Sequence, residues 1–184
     1  MTTEKVLEIF EKTGALLKGH FRLRSGLHSD CFLQTAVVLQ YPEIATQLCK
    51  ELSNQVDSDV DVVIGPAIGG VIIAHEIAQA LVARAIFGEK RDGEMILRPG
   101  FQINSGDRVL VVDDVLTTGG SVSKLIDLTR LHKGEVVAVA FLVDRSSSPI
   151  DFGVPQFCLA NIDASTYRPE DCPMDKAGVP IVEP

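Results

Sequence analysis

One pattern occurs twice in this chain and restricts its fold more than any other feature. Val60–Ile64 (VDVVI) is a short β-branched run ending in Gly65-Pro66; Gly69-Gly70 then opens the apolar stretch VIIAHEIAQALVA, which leads to the strand-like RAIFGE. The same order returns at Arg108–Val112 (RVLVV), followed by DDVLTTGGS, a helix over about Ser121–Leu131, Gly134 and the strand EVVAVAFLVD. Strand, glycine-rich turn, helix and strand, repeated, predict an α/β fold with a parallel sheet covered by helices. The strand runs place β-branched residues at consecutive positions, as strands buried on both faces do. In such a sheet ligands bind outside the carboxyl ends of the strands, where turns feed helix N-termini, so both glycine-rich turns belong at that edge.

The flanking segments are simpler. Apolar residues at Val6, Leu7, Phe10, Leu16 and Leu17 predict one helix over Thr2–Lys18, capped by Thr3 and stopped by Gly19. Phe21–Gln34 (FRLRSGLHSDCFLQ) alternates apolar and cationic residues before the turn-prone Ser25-Gly26 and reads as a short hairpin. Pro42–Asn54 reads as a second helix with Pro at its first position. Between the two repeats, Lys90–Gly106 is polar and broken by Gly and Pro, a mobile excursion with at most a short strand at Met95–Leu97. No linker divides the 184 residues, so a single domain is expected.

Charge narrows the function. Lys and Arg number 17 against 25 Asp and Glu, a formal net charge of −8 that repels nucleic acid over the general surface. An anionic ligand would need the few cations gathered in one place. Cys31, Cys49, Cys158 and Cys172 form no CxxC pair, which speaks against a zinc ribbon or a disulfide framework and for a reducing, cytoplasmic setting. No apolar run reaches the roughly 20 residues of a membrane span, and the start carries no signal-type core.

The strongest chemical signal is Val109–Ser121, VLVVDDVLTTGGS. Apolar strand residues run into Asp113 and Asp114, and Thr117, Thr118, Gly119, Gly120 and Ser121 then precede a helix. Such a loop offers successive backbone N–H groups and hydroxyls to a phosphate at the positive end of a helix. Adjacent carboxylates suit a ligand that also carries sugar hydroxyls, or a divalent cation between carboxylate, ribose and diphosphate. The residues therefore point to a phosphorylated sugar with a metal. GPAIGG at 65–70 lacks the dinucleotide spacing, and no GxxxxGK[ST] is present.

VLVVDDVLTTGGS resembles the phosphoribosyl pyrophosphate (PRPP) signature of type I phosphoribosyltransferases. GHFRLRSGLHSDCFLQ, GPAIGG, the strand ending LVDR and the length are similar to the orotate-specific branch of that family. The resemblance, over about residues 15–148, implies a mostly parallel central sheet flanked by helices, with a core at about 42–148 and a small hood from about 1–40 plus the C-terminal segment. It implies a pentosyltransferase that joins ribose 5-phosphate from PRPP to orotate, giving orotidine 5′-monophosphate and diphosphate in pyrimidine synthesis, with Mg²⁺. Another nucleobase, or a non-catalytic PRPP-sensing regulator, are the alternatives.

Carried over by residue, Asp113 and Asp114 would hold the ribose hydroxyls and, through PRPP or water, the metal. Thr117–Ser121 would cradle the 5-phosphate, with Val115 and Leu116 in the same loop. Arg145 matches the ligand of the orotate carboxylate, a role for which a bidentate guanidinium is suited. Thr117 would also approach orotate, Phe32 would cover its ring or else belong to the core, and Arg24 would contact PRPP. Ile68 and Gly69 stand where many relatives carry a lysine. The transition-state cation is Lys90 by alignment, with Arg91 as a further PRPP contact; Arg91 and Arg98 are the alternatives to Lys90. His28 reads as structural, and Cys172, where relatives often have a second cysteine at the position of Asp175, is not expected to bind a metal by itself. Family members are typically homodimers.

Overall fold

The structure, a computed structural model, describes residues 1–23 and 25–183. Arg24 therefore lies outside the described residues. Thr2 caps the first helix, α1 (Thr3–Lys12), by accepting from the Lys5 N–H, and Val6 and Phe10 form its buried face. The helix stops at Lys12 rather than Lys18, because Gly14 turns the backbone left-handed at φ +76° and frees Leu16 and Leu17 to begin a strand. That strand, β1 (Leu16–Arg22), pairs antiparallel with β2 (His28–Leu33), so the hairpin starts earlier than expected and bulges between Lys18 and Phe21, at Gly19. Two helices follow: α2 (Thr35–Leu39), which the sequence pattern did not announce, and α3 (Pro42–Ser53).

The repeated units fold as expected. They are β3 (Val62–Pro66), α4 (Gly69–Leu81) and β4 (Arg84–Arg91), then β6 (Arg108–Leu116), α5 (Gly120–Leu131) and β7 (Glu135–Asp144). Between them lies β5 (Glu94–Leu97), and β8 (Gln156–Asn161) completes a six-stranded sheet in the order β5-β4-β3-β6-β7-β8. All its pairings are parallel except β4 with β5. The segment 90–106 is thus no simple excursion. Asp92 and Gly93 both have positive φ, 51° and 88°, and close β4 and β5 into a tight hairpin. The large sheet also runs past the core boundary near residue 148, through β8.

Burial on both faces is literal. Val63, Leu110, Val112, Ala138 and Ala140 pack into one cluster with α1, α3 and α4, and Val62, Ile64, Val109, Val111, Val139 and Phe141 into another with α5. Successive residues of β6 therefore serve opposite faces, the period of two that a strand imposes. The hood is a second sheet of three strands, β1-β2-β9, in which β9 (Thr166–Tyr167) comes from the C-terminal part of the chain. A 3-10 turn (Pro169–Asp171) and α6 (Pro173–Lys176) follow, and Val182 bonds back to β1 through His20 O and the Arg22 N–H.

β3 meets α4 at its closest through glycine. A Cβ on Gly65 would overlap Gly70 O, and one on Gly70 would overlap Pro66 Cδ. Gly65→Ala should therefore destabilise the chain by about 1–3 kcal/mol, as overpacking of a tight site does, which a urea midpoint would measure.

Candidate active site

Strand alternation decides where the two adjacent carboxylates go. Asp113 continues the register of Val109 and Val111 toward the α5 side, while Asp114 follows Leu110 and Val112 toward α4. The contacts agree. Asp113 lines a small cavity of about 50 Å³ with Thr117, Thr118, Gly119, Gly120 and Ser121, whereas a Cβ on Gly69 would lie 2.9 Å from Asp114 Oδ2. Asp114 accepts from Thr35 Oγ1 at Oδ2 and from the Val115 N–H, 2.9 Å, at Oδ1. Thr35, the first residue of α2, is a positioning residue that sequence reasoning missed; a single threonine after the hairpin gives no periodic signal.

The loop itself is shorter than DDVLTTGGS. Val115 and Leu116 belong to β6, because β7 continues to Asp144 and supplies ladder partners for both. Only Thr117, Thr118 and Gly119 connect β6 to α5, which starts at Gly120, one residue before the expected Ser121. Gly119 takes φ +72° at the N-cap, and a Cβ there would meet the Phe152 ring at 2.9 Å. Phe152 and Ile150 also line a larger open groove of about 640 Å³ that runs along Asp144, Ser146 and Asn161, at the ends of β7 and β8.

Helix ends at this edge differ from those elsewhere. α1 and α3 carry Glu4 and Glu43 in their first turns, as the helix dipole favours. α4 and α5 carry no acidic residue there and no side-chain cap. Their first N–H groups are thus left for an outside acceptor. At the start of α4, the Ala67–Ile68 peptide is cis and Ile68 is 87% exposed.

Electrostatics mark Asp113. Burial first, then the charge of Asp114, raises its carboxyl far above the ordinary range, to about 8. Arg145 is fixed at the same edge by its N–H, which donates to Leu116 O at 2.9 Å. Burial and Asp30 push up the Cys31 thiol in β2, and Arg145 is the first of the groups that oppose them, so its charge reaches the hood. Phe32 is one residue further along β2 and takes the other face, with its ring 5.9 Å from that of Phe21. The structure groups Phe32 with Phe21 rather than with Arg145.

Of the three cations considered for the transition state, Arg98 is engaged. It pairs with Glu89 at 3.1 Å and lies 5.9 Å from the centroid of the Phe87 ring. Lys90 and Arg91 are exposed on β4 and have no ion-pair partner among the described residues. They lie two and three residues beyond Gly88, which pairs with Pro66 at the end of β3 and accepts from the Ala67 N–H at 2.8 Å. The hairpin tip is tied to α5 by Lys124 Nζ, which donates to Gly93 O.

Residues 38–162 match the phosphoribosyl transferase domain family. Orotate phosphoribosyltransferase of Caldanaerobacter subterraneus subsp. tengcongensis is 51% identical over 185 aligned positions, which span 100% of this chain and 97% of that protein. The chain belongs to the orotate phosphoribosyltransferase family. A crystal structure of orotate phosphoribosyltransferase from Aeropyrum pernix has a TM-score of 0.73 and 29% identity, covering 85% of this chain and 93% of that one. Adenine phosphoribosyltransferase from Rhodothermus marinus has the same fold, with a TM-score of 0.69 at 22% identity over 86% of this chain and 99% of its own. The fold thus serves more than one base, and a choice of base must reside in side chains.

The raised carboxyl has a consequence for stability. Between the ordinary carboxylate range and about 8, folded Asp113 keeps a proton that the unfolded chain releases, so its contribution to stability falls as pH rises across that window. Asp113→Asn should therefore melt above wild type at pH 9, by the few degrees that about 1 kcal/mol gives a chain of this length. The difference should shrink toward pH 4. Thermal melts of both proteins across this range measure it.

Proposed function

We infer that this chain transfers ribose 5-phosphate from PRPP to a ring nitrogen of orotate, releasing diphosphate and forming orotidine 5′-monophosphate. The observation that carries the reading is the β6–α5 turn. Two carboxylates, an uncapped helix end and the backbone of Arg145 come together there, on a chain that aligns over its full length with orotate-specific relatives.

In this reading the first N–H groups of α5 and the hydroxyls of Thr117, Thr118 and Ser121 hold the 5-phosphate. Asp113 and Asp114, on opposite faces of β6, accept from the two ribose hydroxyls, and Thr35 keeps Asp114 oriented. The acid pair also fits a cation, because the carboxyl of Asp113 is raised partly by the uncompensated charge beside it. Mg²⁺, when bound with PRPP, would neutralise the diphosphate as it leaves; Asp113 and Asp114 would hold it through water or the ribose. Diphosphate is a leaving group that the substrate brings, so the protein needs no nucleophile, and the four free cysteines have no part in the step.

Base choice falls to Arg145, whose guanidinium would take the carboxylate of orotate. Thr117 lies beside the base, whereas Phe32, grouped with Phe21 on the face of β2 opposite Cys31, takes no part in this reading. Lys90, on the projecting β4–β5 hairpin, meets the diphosphate as charge develops, with Arg91 behind it; Arg98 is already committed to Glu89. Ile68 and Ile72, exposed one turn apart at the start of α4, support a second copy of the chain packing at this rim, and the free thiols suit a cytoplasmic enzyme.

Loss of orotate absorbance with PRPP and Mg²⁺ tests the reading, with adenine, hypoxanthine and uracil in parallel. Orotate alone should turn over. Asp114→Asn should lower kcat at least about 100-fold, and Arg145→Gln should lower kcat/KM for orotate about 10–100-fold, the worth of a charged hydrogen-bond pair. PRPP binding without turnover of any base would favour a regulator instead. For the hairpin, Lys90→Gln should reduce kcat with little change in the KM for orotate, while Arg98→Gln should leave kcat within about threefold of wild type.

A further inference from the structure

Away from the phosphate loop, four side chains from distant parts of the sequence point at one spot. His20 on β1, His28 at the start of β2, Cys172 before α6 and Asp175 within α6 each present one ligand atom, and these atoms lie within 4.8 Å of one another. His20, His28 and Cys172 are buried and only Asp175 reaches the surface. The separations are 2.9 Å from His20 Nε2 to His28 Nδ1, 3.6 Å from His20 Nε2 to Cys172 Sγ, 2.7 Å from His28 Nδ1 to Asp175 Oδ2 and 3.9 Å from His20 Nε2 to Asp175 Oδ2.

With Cys172 as a thiol, its S–H can donate to His20 Nε2 and His28 Nδ1–H to Asp175 Oδ2; with Cys172 as a thiolate and His28 protonated on its other nitrogen, the same spot gathers four lone pairs. His20 Nδ1 lies 2.8 Å from Val179 O. A carbonyl only accepts, so Nδ1 carries the proton and, in the neutral ring, Nε2 turns a lone pair inward. The oxygen of Asp175 and the sulfur of Cys172 also bring lone pairs. A ring nitrogen aimed inward while its partner nitrogen is held by a backbone carbonyl is how proteins orient a histidine for a metal.

We propose that His20, His28, Cys172 and Asp175 form a closed, structural site for a zinc ion, separate from the metal that accompanies the substrate. Two nitrogens, one thiolate and one carboxylate are a zinc donor set; the sulfur argues against Mg²⁺ and Ca²⁺. Zinc bonds of about 2.0–2.1 Å to nitrogen and about 2.3 Å to sulfur, at tetrahedral angles, place nitrogen and sulfur about 3.6 Å apart, the separation found between His20 and Cys172. The closer nitrogen and oxygen pairs need to open by about half an ångström. Thiolate and carboxylate together balance the two positive charges of the ion, so the filled site is neutral, as burial demands. Cys172 gives its thiol proton to solvent on binding.

The clasp would join residues 152 positions apart, His20 and Cys172, and pin the C-terminal segment to the hood hairpin. Val182 and β9 meet the same hairpin, so the metal would complete a seam that hydrogen bonds begin. His28 and Phe32 lie on the same strand, four residues apart, so the ion would also fix the frame that carries Phe32.

The test is a Co²⁺ titration of the full chain, freed of metal with a chelator and without PRPP. One equivalent should bind, with the visible bands of tetrahedral cobalt and a near-ultraviolet thiolate-to-cobalt band, both abolished by one equivalent of Zn²⁺. Cys172→Ser should remove the thiolate band and His28→Gln should weaken binding at least about 100-fold, while Cys158→Ser should change neither. Zn²⁺ should raise the melting temperature of the wild type by several degrees and that of Cys172→Ser by none. Asp175→Cys should tighten zinc binding. Because the wild-type spectrum reports sulfur ligation directly, a variant that fails to fold does not block the test. A wild-type chain that takes up no cobalt, or a thiolate band that survives Cys172→Ser, overturns the proposal and leaves a hydrogen-bonded quartet.

Discussion

A parallel sheet with helices on both faces has nowhere to receive a ligand except along its carboxyl edge, and this molecule is organised around that constraint. β6 lies near the middle of the sheet, between β3 and β7, and Val109–Val112 are fully buried. Each of those residues is committed to one face, so the register cannot slip by one position without carrying carboxylates toward the core. The same alternation passes into Asp113 and Asp114 and separates them, one toward α5 and the turn at residues 117–119, the other toward α4 and Thr35. Two neighbouring acids thereby become two different tools.

Stability is given up at this edge in ways visible elsewhere as gains. A capping side chain contributes about 1 kcal/mol and an acidic first turn some tenths more. α1 has both and α3 has an acidic first turn, whereas α4 and α5 have neither. Asp113 holds a carboxyl that burial drives toward its neutral form. These costs concentrate where an anionic sugar phosphate would repay them, on a chain whose net charge of −8 makes scattered cations useless for that purpose. Arg145 is pinned by its backbone to Leu116, and Lys90 lies where β4 and β5 run on beyond the end of β3.

The hood is built differently. Its three strands come from residues 16–33 and 166–167, and Val182 adds a further rung. Its β1–β2 hairpin is local in sequence, but β9 and Val182 join it from the far end of the chain, and its interior holds His20, His28 and Cys172 rather than a purely apolar core. A small sheet of this kind gains little from hydrophobic burial and depends more on specific bonds between distant segments.

What sequence alone determined was carried by short-range periodicity and turn chemistry: the two strand–turn–helix–strand units, the edge at which their turns lie, and the placing of Asp113, Asp114 and the Thr-Gly turn together at the start of α5. Its errors have physical causes. Leu16 and Leu17 fit the helical face of α1 until Gly14 breaks it, and the polar composition of residues 90–106 masks the Asp92-Gly93 turn that closes β4 and β5. Tertiary structure alone decided the rest. It brought Thr35 to Asp114 and Gly69 beside the same carboxylate, committed Arg98 to Glu89, and made the C-terminal segment part of both sheets. It also gave Cys172, alone in the sequence, two histidines and an aspartate for company. Contacts across 152 residues leave no periodic trace, because what joins them is the closure of the chain in space and not the spacing of side chains along it.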